Sequence, residues 1–390
     1  MKLARALLLP PAFLCVAAIR LLRHCGVLIR FGESWSGRIG HLAGNNEIYL
    51  CERDMGWHKG IDIWRHNAQG NKQLMAMFER VMTFDKTGFS RIVDLANRMF
   101  IGWERFTVAP QQLDRDIYNL MEKLPAHLKF TDVELARGRR ERLRMGIPDG
   151  AKWVCLIVRD NAYLPDLTYH NHRDTEIDNY VPMALELAHR GYYVVRVGAK
   201  VNRLFETGTE SHIIDYANSA FRNDFMDIYL GNHCEFCVSS GTGFDAVPVI
   251  FRRPVVFVNY VPLEYLNTWV PGLAIWRHHR KDGKRMTPKE IYASGAGHFM
   301  RADEYEQAGI TLEENSPQEI TDAVMEMVDG ISTASQAAFW DDFPRSHSQF
   351  NQRPLHGQIR LRIGVKFLES YETDCTPGHQ GREADQGRAV

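Results

Sequence analysis

Apolar residues along this chain fall into short continuous runs separated by longer stretches with helical spacing, the pattern of parallel strands buried on both faces and joined by helices. Gly26 to Phe31 (GVLIRF) reads as a first strand; a polar, Gly-rich segment follows, and a helix begins near His41. Ile61 to Trp64 (IDIW) is the next strand, and Gln73 to Met82 and Ser90 to Met99 carry helical patterns. Asp114 to Leu124 is also read as a helix, with Ile117, Leu120, Met121 and Leu124 on one face. A charged stretch ending in the turn signal Ile147-Pro148-Asp149-Gly150 puts a domain junction near residues 130–150. The alternation restarts at Trp153 to Val158 (WVCLIV), passes through a helix over Tyr180 to Arg190 and a strand over Tyr192 to Val197, and continues at Phe225 to Leu230. Cys237 to Asn259 then reads as strand, Ser-Ser-Gly-Thr-Gly turn, helix and strand. Ser316 stands three residues before Glu319, in capping-box spacing, so a helix starts there and runs to Asp329. The pattern predicts an α/β protein of two tandem domains, each with its own parallel sheet.

Composition narrows the classes. Hydrophobic residues at 45% and charged residues at 24% are those of a globular protein, and a net charge of −1 supplies no field for nucleic acid, which is therefore not an expected partner. Seven scattered cysteines make no disulfide framework and fit a reducing compartment. Cys234 and Cys237 spell C-x-x-C, but no second pair has zinc-site spacing, and no metal is expected. Residues 1–24 stand apart: Lys2, Arg5, Arg20 and Arg23 bracket an apolar run from Ala6 to Ile19 that Pro10 and Pro11 interrupt. The run is too short to span a bilayer comfortably, and it reads as an amphipathic segment lying on the inner membrane surface of an otherwise cytoplasmic protein. The competing reading is an ordinary buried first helix. The tail over residues 373–390, rich in Gly, Gln and charge, is read as disordered.

The turn Ser239-Ser240-Gly241-Thr242-Gly243 is the strongest chemical signal. Small residues opening a helix leave backbone N–H groups uncovered at the positive end of the helix dipole, where a phosphate can sit, and the hydroxyls add donors. No Gly-Lys-Ser/Thr follows it, and Cys237 and Val238 stand where a nucleophile elbow would need Gly. Arg159 and Arg196, each ending a strand run, are suited to add bidentate charge to a bound diphosphate. Asp114-Arg115-Asp116 spells a metal-binding Asp-x-Asp, but in a helical pattern its two carboxylates point to different faces. His170 and His172 lie in the polar, aromatic segment Asp160 to Asp178, which suits a ligand-lining loop in which Tyr169, His172 and Arg173 contact substrate.

Asp227 through Val258 resembles the donor-binding segment of heptosyltransferase-like enzymes: an Asp-containing helix, a strand, Ser-Gly-Thr, a helix, then Pro-Val-Val. Arg38-Ile39-Gly40-His41-Leu42 resembles the first loop of the same enzymes, with His41 at the position of their usual Asp. With Val195-Arg196-Val197-Gly198 and Glu314 to Ile320, the chain over about residues 26–330 is similar to bacterial surface-polysaccharide glycosyltransferases of the GT-B type. The resemblance implies two tandem Rossmann-like domains with a cleft between them. It places an acceptor-side domain at residues 25–140 and a nucleotide-sugar domain at 150–330, leaving 331–372 as a C-terminal helical extension. It implies a metal-independent transfer of sugar from a nucleotide-sugar donor to a glycan or lipid-linked acceptor in cell-envelope glycan synthesis, with no cofactor beyond the donor itself. His41 is then the general base, with Glu47 to orient it or act in its place, and Arg38 and Gly40 join Arg159, Arg196 and the Ser239 to Gly243 turn on the donor. Two rival readings stand beside it. One is a sugar-nucleotide epimerase of the same fold, recruiting Asp174, Glu176 and His212; the other is a non-catalytic, membrane-peripheral assembly protein.

Overall fold

The computed structural model describes residues 2–110, 112–160, 162, 168–330, 339–349 and 352–375. Part of the expected substrate loop (161 and 163–167) and most of the expected disordered tail (376–390) lie outside them. The chain forms two compact units, residues 1–134 and 135–390.

The first unit opens with helix α1 (Lys2–His24), strand β1 (Ile29–Ser34) and helix α2 (Ile39–Asp54). It continues with β2 (Ile61–His66), α3 (Lys72–Phe78), β3 (Thr83–Phe84), α4 (Phe89–Asn97) and a single turn, α5 (Leu120–Lys123). The strands form a parallel sheet in the order β1-β2-β3, with Ile29 opposite Ile61 and Ser34 opposite His66. Thr107 adds a parallel bridge on the free side of β1. Ala12, Val16 and Ile19, on one stripe of α1, pack with Val93, Ala96, Phe106 and Phe31. Within residues 1–24, expected to lie on a membrane, Ala12, Val16 and Ile19 thus give one face of the helix to the core of this unit.

The helix expected over Asp114 to Leu124 shrinks to α5, for two local reasons. Asn119 has a left-handed backbone (φ 52°), which a continuous helix does not tolerate. The buried Asp116 carboxylate accepts from the amides of Leu120 and Met121, both at 2.8 Å, and so caps a new helix start. Asp116 is thereby spent on structure, which removes it from any Asp-x-Asp metal site.

In the second unit, α6 (Asp132–Arg144) leads into β4 (Trp153–Ile157), α7 (Val181–His189), β5 (Tyr193–Arg196), β6 (Ile213–Ile214), α8 (Asp224–His233), β7 (Cys237–Ser239), α9 (Ala246–Ile250), β8 (Val255–Tyr260) and β9 (Gly272–Trp276). A short antiparallel sheet of β10 (His278–Lys281), β11 (Lys284–Arg285) and β12 (Ile310–Glu313) follows, with α10 (Pro288–Ala293) and α11 (Ala302–Gln307) between its last two strands. The unit closes with α12 (Pro317–Asp329), β13 (Leu361–Ile363) and α13 (Val365–Cys375). The capping box at Ser316 forms, with Ser316 accepting from the Glu319 amide and the Glu319 carboxylate taking the Ser316 amide. The main sheet runs β13-β9-β8-β7-β4-β5-β6, with every neighbouring pair parallel. Strands β4, β7, β8 and β9 are buried along their whole length, which explains their unbroken apolar runs. The segment expected as a helical extension also supplies an edge strand, since β13 pairs with β9.

The ends of β8 and of the turn before α12 are locked by a buried reciprocal pair. The Asn259 amide donates to Asn315 Oδ1 at 2.7 Å, and the Asn315 amide donates to Asn259 Oδ1 at 2.6 Å. Gly272 opens β9 at φ +152°, and a β-carbon there would stand 1.9 Å from the Val255 carbonyl oxygen. We expect Gly272→Ala to push β9 off β8 and destabilise the protein by on the order of 3 kcal/mol, read as a lower midpoint in urea unfolding.

Candidate functional site

In an open parallel sheet, ligands bind beyond the carboxyl ends of the strands, where the strand order reverses. Here the chain winds outward in one direction through β4, β5 and β6 and in the other through β7, β8 and β9, so the reversal lies between β4 and β7. The residues that follow these two strands meet there. The Ser240 amide donates to the Ile157 carbonyl at 3.2 Å, and the Arg159 amide donates to Ser240 Oγ at 2.7 Å.

Two guanidinium groups share this crevice. Arg173 donates from Nη2 to the Gly241 carbonyl, and Arg159 Nε lies 3.5 Å from Asp174 Oδ1. Gly241 is in the left-handed region at φ +75°, and a β-carbon there would stand 3.4 Å from the Tyr260 ring and 3.5 Å from Arg173 Nη2. A third cation, the buried Arg277, braces the segment from behind: it donates to the His172 carbonyl at 3.0 Å and to the Asp174 carbonyl, and stands 3.4 Å from Glu314. The site holds carboxylates as well as guanidiniums, since Asp174 and Asp160 both act on Arg159 and Asp245 feels Arg173. Burial, and then the neighbouring Arg173, pull the Arg159 guanidinium down to about 10, while burial holds the Asp174 carboxyl above its ordinary range. An anion between Arg159 and Arg173 relieves their repulsion.

The turn itself works differently from the sequence expectation. The Gly241 amide donates to Ser239 Oγ at 3.0 Å, the Thr242 amide to Asp245 Oδ2 at 2.9 Å, and the Phe244 amide to Thr242 Oγ1 at 3.2 Å. Ser239 Oγ donates in turn to Asp245 Oδ2 at 2.9 Å. Thr242 and Asp245 form a capping box, so the Gly241 and Thr242 amides and the Ser239 hydroxyl, three of the donors proposed for a phosphate, are taken up inside the turn. The helix beyond is only Ala246–Ile250. The turn therefore shapes the crevice and carries Ser240 and Gly241 to it, and the charge comes from the arginines. The spacing Thr-x-x-Asp was readable as a capping signal. Arg277 was readable too, because it follows the buried run GLAIW just as Arg159 follows WVCLIV.

Arg196 does not join the site. It is 1% exposed, and its guanidinium donates to the Arg203 carbonyl at 2.6 Å and to the Asp215 carboxylate at 3.4 Å, an internal ion pair at the β5 end. His172 turns its ring toward Tyr305 at 5.3 Å between centroids and donates from Nδ1 to the Tyr169 carbonyl at 3.2 Å. Arg301 covers the Tyr169 ring at 5.0 Å. Of the three residues assigned to substrate, Arg173 is the one the structure brings to the Gly241 turn.

In the first unit, Arg38 is the exposed residue before α2, Gly40 lies in its first turn, and the half-buried His41 ring meets the exposed Trp35 ring edge-on at 5.2 Å. Trp35 lines a cavity of about 250 Å³ with Glu33, Ser34, Asn46, Trp64 and Arg65, at the carboxyl ends of β1 and β2. Glu47 is fully buried, and its carboxylate accepts from His127 Nδ1 at 3.0 Å, while His127 Nε2 donates to Asp54 at 3.1 Å. Burial opposes protonation of His127, but the two carboxylates outweigh it and raise its pKa. Glu47 therefore holds His127, and does not orient His41. Glu47, Cys51 and His127 are the one set of three metal-type donors close together among the described residues, and the carboxylate–imidazolium–carboxylate arrangement accounts for two of the three.

No family model matches the chain, and no curated protein matches it. Among solved structures, the chain is similar to a glycosyl transferase family 9 protein from Veillonella parvula, at 11% identity and a TM-score of 0.48, over 78% of this chain and 98% of that one. It is similar to the ADP-heptose lipopolysaccharide heptosyltransferase II of E. coli, at 13% identity and a TM-score of 0.35, over 60% and 86% of the two chains. A UDP-GlcNAc 2-epimerase from Neisseria meningitidis matches at 12% identity and a TM-score of 0.30, over 77% and 99%.

Asp245 anchors the turn at a measurable cost. Burial pushes its carboxyl up to about 6 against the bonds from Ser239 and Thr242, and burial raises Asp227 to about 6 as well. A folded pKa above the unfolded one gives stability that is complete below the unfolded value, near 4, and is lost as pH rises through about 6. We expect the Asp245 contribution to fall by on the order of 1–3 kcal/mol between pH 4 and 7. Urea unfolding of wild type and Asp245→Asn at both pH values reads this directly: the variant should lose that part of the pH dependence.

Proposed function

We propose that this chain is a glycosyltransferase of the GT-B type that binds a nucleotide-diphosphate sugar in its second unit and passes the sugar to a hydroxyl of a glycan or lipid-linked acceptor in bacterial cell-surface glycan synthesis. The observation that carries the reading is the Arg159 and Arg173 pair at the strand reversal beside Ser240 and Gly241. Two neighbouring guanidiniums are complementary to a diphosphate, and they gain most when the bond to the sugar breaks and charge collects on the leaving oxygens. The charge a divalent cation supplies in other transferases is here assigned to these side chains, which makes the proposed reaction metal-independent. Arg277 is a positioning residue, since it holds the carbonyls on either side of Arg173.

In the proposed step the acceptor oxygen attacks the anomeric carbon, the carbon–oxygen bond to the diphosphate breaks, and the leaving group takes the electron pair. The acceptor's proton goes to a ring nitrogen of His41, which sits in the first turn of α2 with its ring edge-on to Trp35. The epimerase reading asks Asp174, Glu176 and His212 to surround one sugar. Glu176 pairs with Arg203 at 2.8 Å, and His212 sits with Glu210 and Tyr193 beside β5 and β6, so the three are not gathered.

Calorimetric titration with a panel of UDP-, ADP- and GDP-sugars tests the reading. We expect one class to bind, and Arg159→Ala or Arg173→Ala to weaken it about 10- to 100-fold. His41→Ala should retain donor binding and lower sugar transfer by roughly 100-fold or more. Failure of every sugar nucleotide to bind rejects the proposal, and undiminished transfer by His41→Ala rejects only the base.

A further inference from the structure

Helix α1 is apolar on two opposite faces. Ala12, Val16 and Ile19 fill the core. On the other side, Pro10, Pro11, Leu14, Ala17, Ala18 and Leu21, spaced as one continuous helical stripe, are all exposed, and none is polar. A helix on a protein surface ordinarily turns charge outward, and one that is apolar all round is covered by something. Leu14 is 73% exposed and Leu21 68%.

A second apolar element borders this stripe. The segment after α4 presents Met99 at 74% and Ile101 at 99% exposure. It is held rigidly to α1: Arg20 donates to the Ile101 carbonyl at 3.2 Å and covers the Phe100 ring at 5.0 Å, and Phe13 meets Phe100 edge-on at 6.2 Å. Together they make a patch whose helical part, from Pro10 to Leu21, is about 17 Å long. Large apolar side chains this exposed and this close mark an interaction surface.

The rim of the patch identifies the occupant. Arg23 and His24 end α1, Arg98 and Arg105 flank residues 99–101, and Glu104 is the one acid in that short stretch. A second copy of this chain docking on the same face would bring like charges together across a two-fold axis. An anionic lipid surface meets both features, taking the apolar side chains below its headgroups and the basic rim against them. No helix among the described residues is long and apolar enough to cross a membrane, so this surface would lie on the bilayer.

We propose that the outer stripe of α1 and residues 99–101 form a preformed docking face for an anionic bilayer. The proposal deepens the proposed function, resting on it for its biological sense, because a lipid-linked acceptor is reached from such a surface. It also changes how residues 1–24 do this: the helix stays packed in its domain and offers its second face.

Co-sedimentation of the full chain with vesicles of phosphatidylglycerol and phosphatidylethanolamine tests it, with phosphatidylcholine vesicles as reference. Wild type should bind the anionic vesicles, more weakly as salt is raised, and Leu14→Asp/Leu21→Asp and Ile101→Asp should each weaken binding about tenfold or more. Circular dichroism and sugar-nucleotide titration of the same variants should match wild type. No binding by wild type, or binding unchanged in the variants, overturns the proposal. A lipid-free dimer of wild type in sedimentation equilibrium that the Asp variants abolish also overturns it, in favour of a second copy. Wild type that binds a sugar nucleotide but no anionic vesicle sinks the docking face alone; wild type that binds anionic vesicles but no sugar nucleotide sinks the transferase reading alone.

Discussion

Like charges brought together out of water must be held there by something, and the second unit is organised around that requirement. Arg159 and Arg173 share the crevice at the β4/β7 reversal, and the nearest carboxylate, Asp174, is itself raised by burial. The chain achieves this by fixing backbone as well as by setting Asp160 and Asp174 beside Arg159. Ser240 joins the two strand ends through its amide and its hydroxyl, and Arg277 pins the carbonyls of His172 and Asp174 so that Arg173 cannot swing away. The Asn259 and Asn315 exchange then fixes the far wall, where β8 ends. A site with an unpaid excess of positive charge is preorganised for an anion, because little structural change is needed when it arrives.

The Ser239 to Gly243 turn shows how a small-residue turn can spend most of its polar groups on its own shape. Its donors close on Ser239, Thr242 and Asp245, which removes the orphan N–H groups that make a longer helix N-terminus an anion site. What remains is shape. Gly241 is in the left-handed region at φ +75°, the backbone conformation that lets its carbonyl meet Arg173 and that a side chain would strain.

Much of the fold was legible because buried parallel strands write themselves as unbroken apolar runs. WVCLIV, YYVVRV and the strands flanking the Ser/Gly turn all appear where the runs are, and the Ser316 cap forms as its spacing requires. The failures share a cause. Asp114 to Leu124 has helical apolar spacing, but Asp116 and the left-handed Asn119 start a new turn inside it, and periodicity does not register caps. Arg159 and Arg196 look alike in sequence, each closing a strand. Only the sheet order separates them, since β4 borders the reversal while β5 lies one strand further out, beside Asp215. Arg277 closes β9 in the same way, and its role too depends on the sheet order, which sequence does not carry.

The first unit divides its histidines by what surrounds them. A buried carboxylate such as Glu47 is tolerated only with a cation or donor beside it, and His127 fills that need with a second carboxylate, Asp54, on its other nitrogen. An imidazole held by two carboxylates is driven toward its charged form, and a charged imidazole cannot accept a proton. His41 has no carboxylate on its ring in this arrangement; its neighbour is the exposed face of Trp35, in the loop that follows β1. The more buried and better-connected histidine is thus the structural one. In the proposed transfer the base role falls to His41, while His127 serves to hold the buried Glu47.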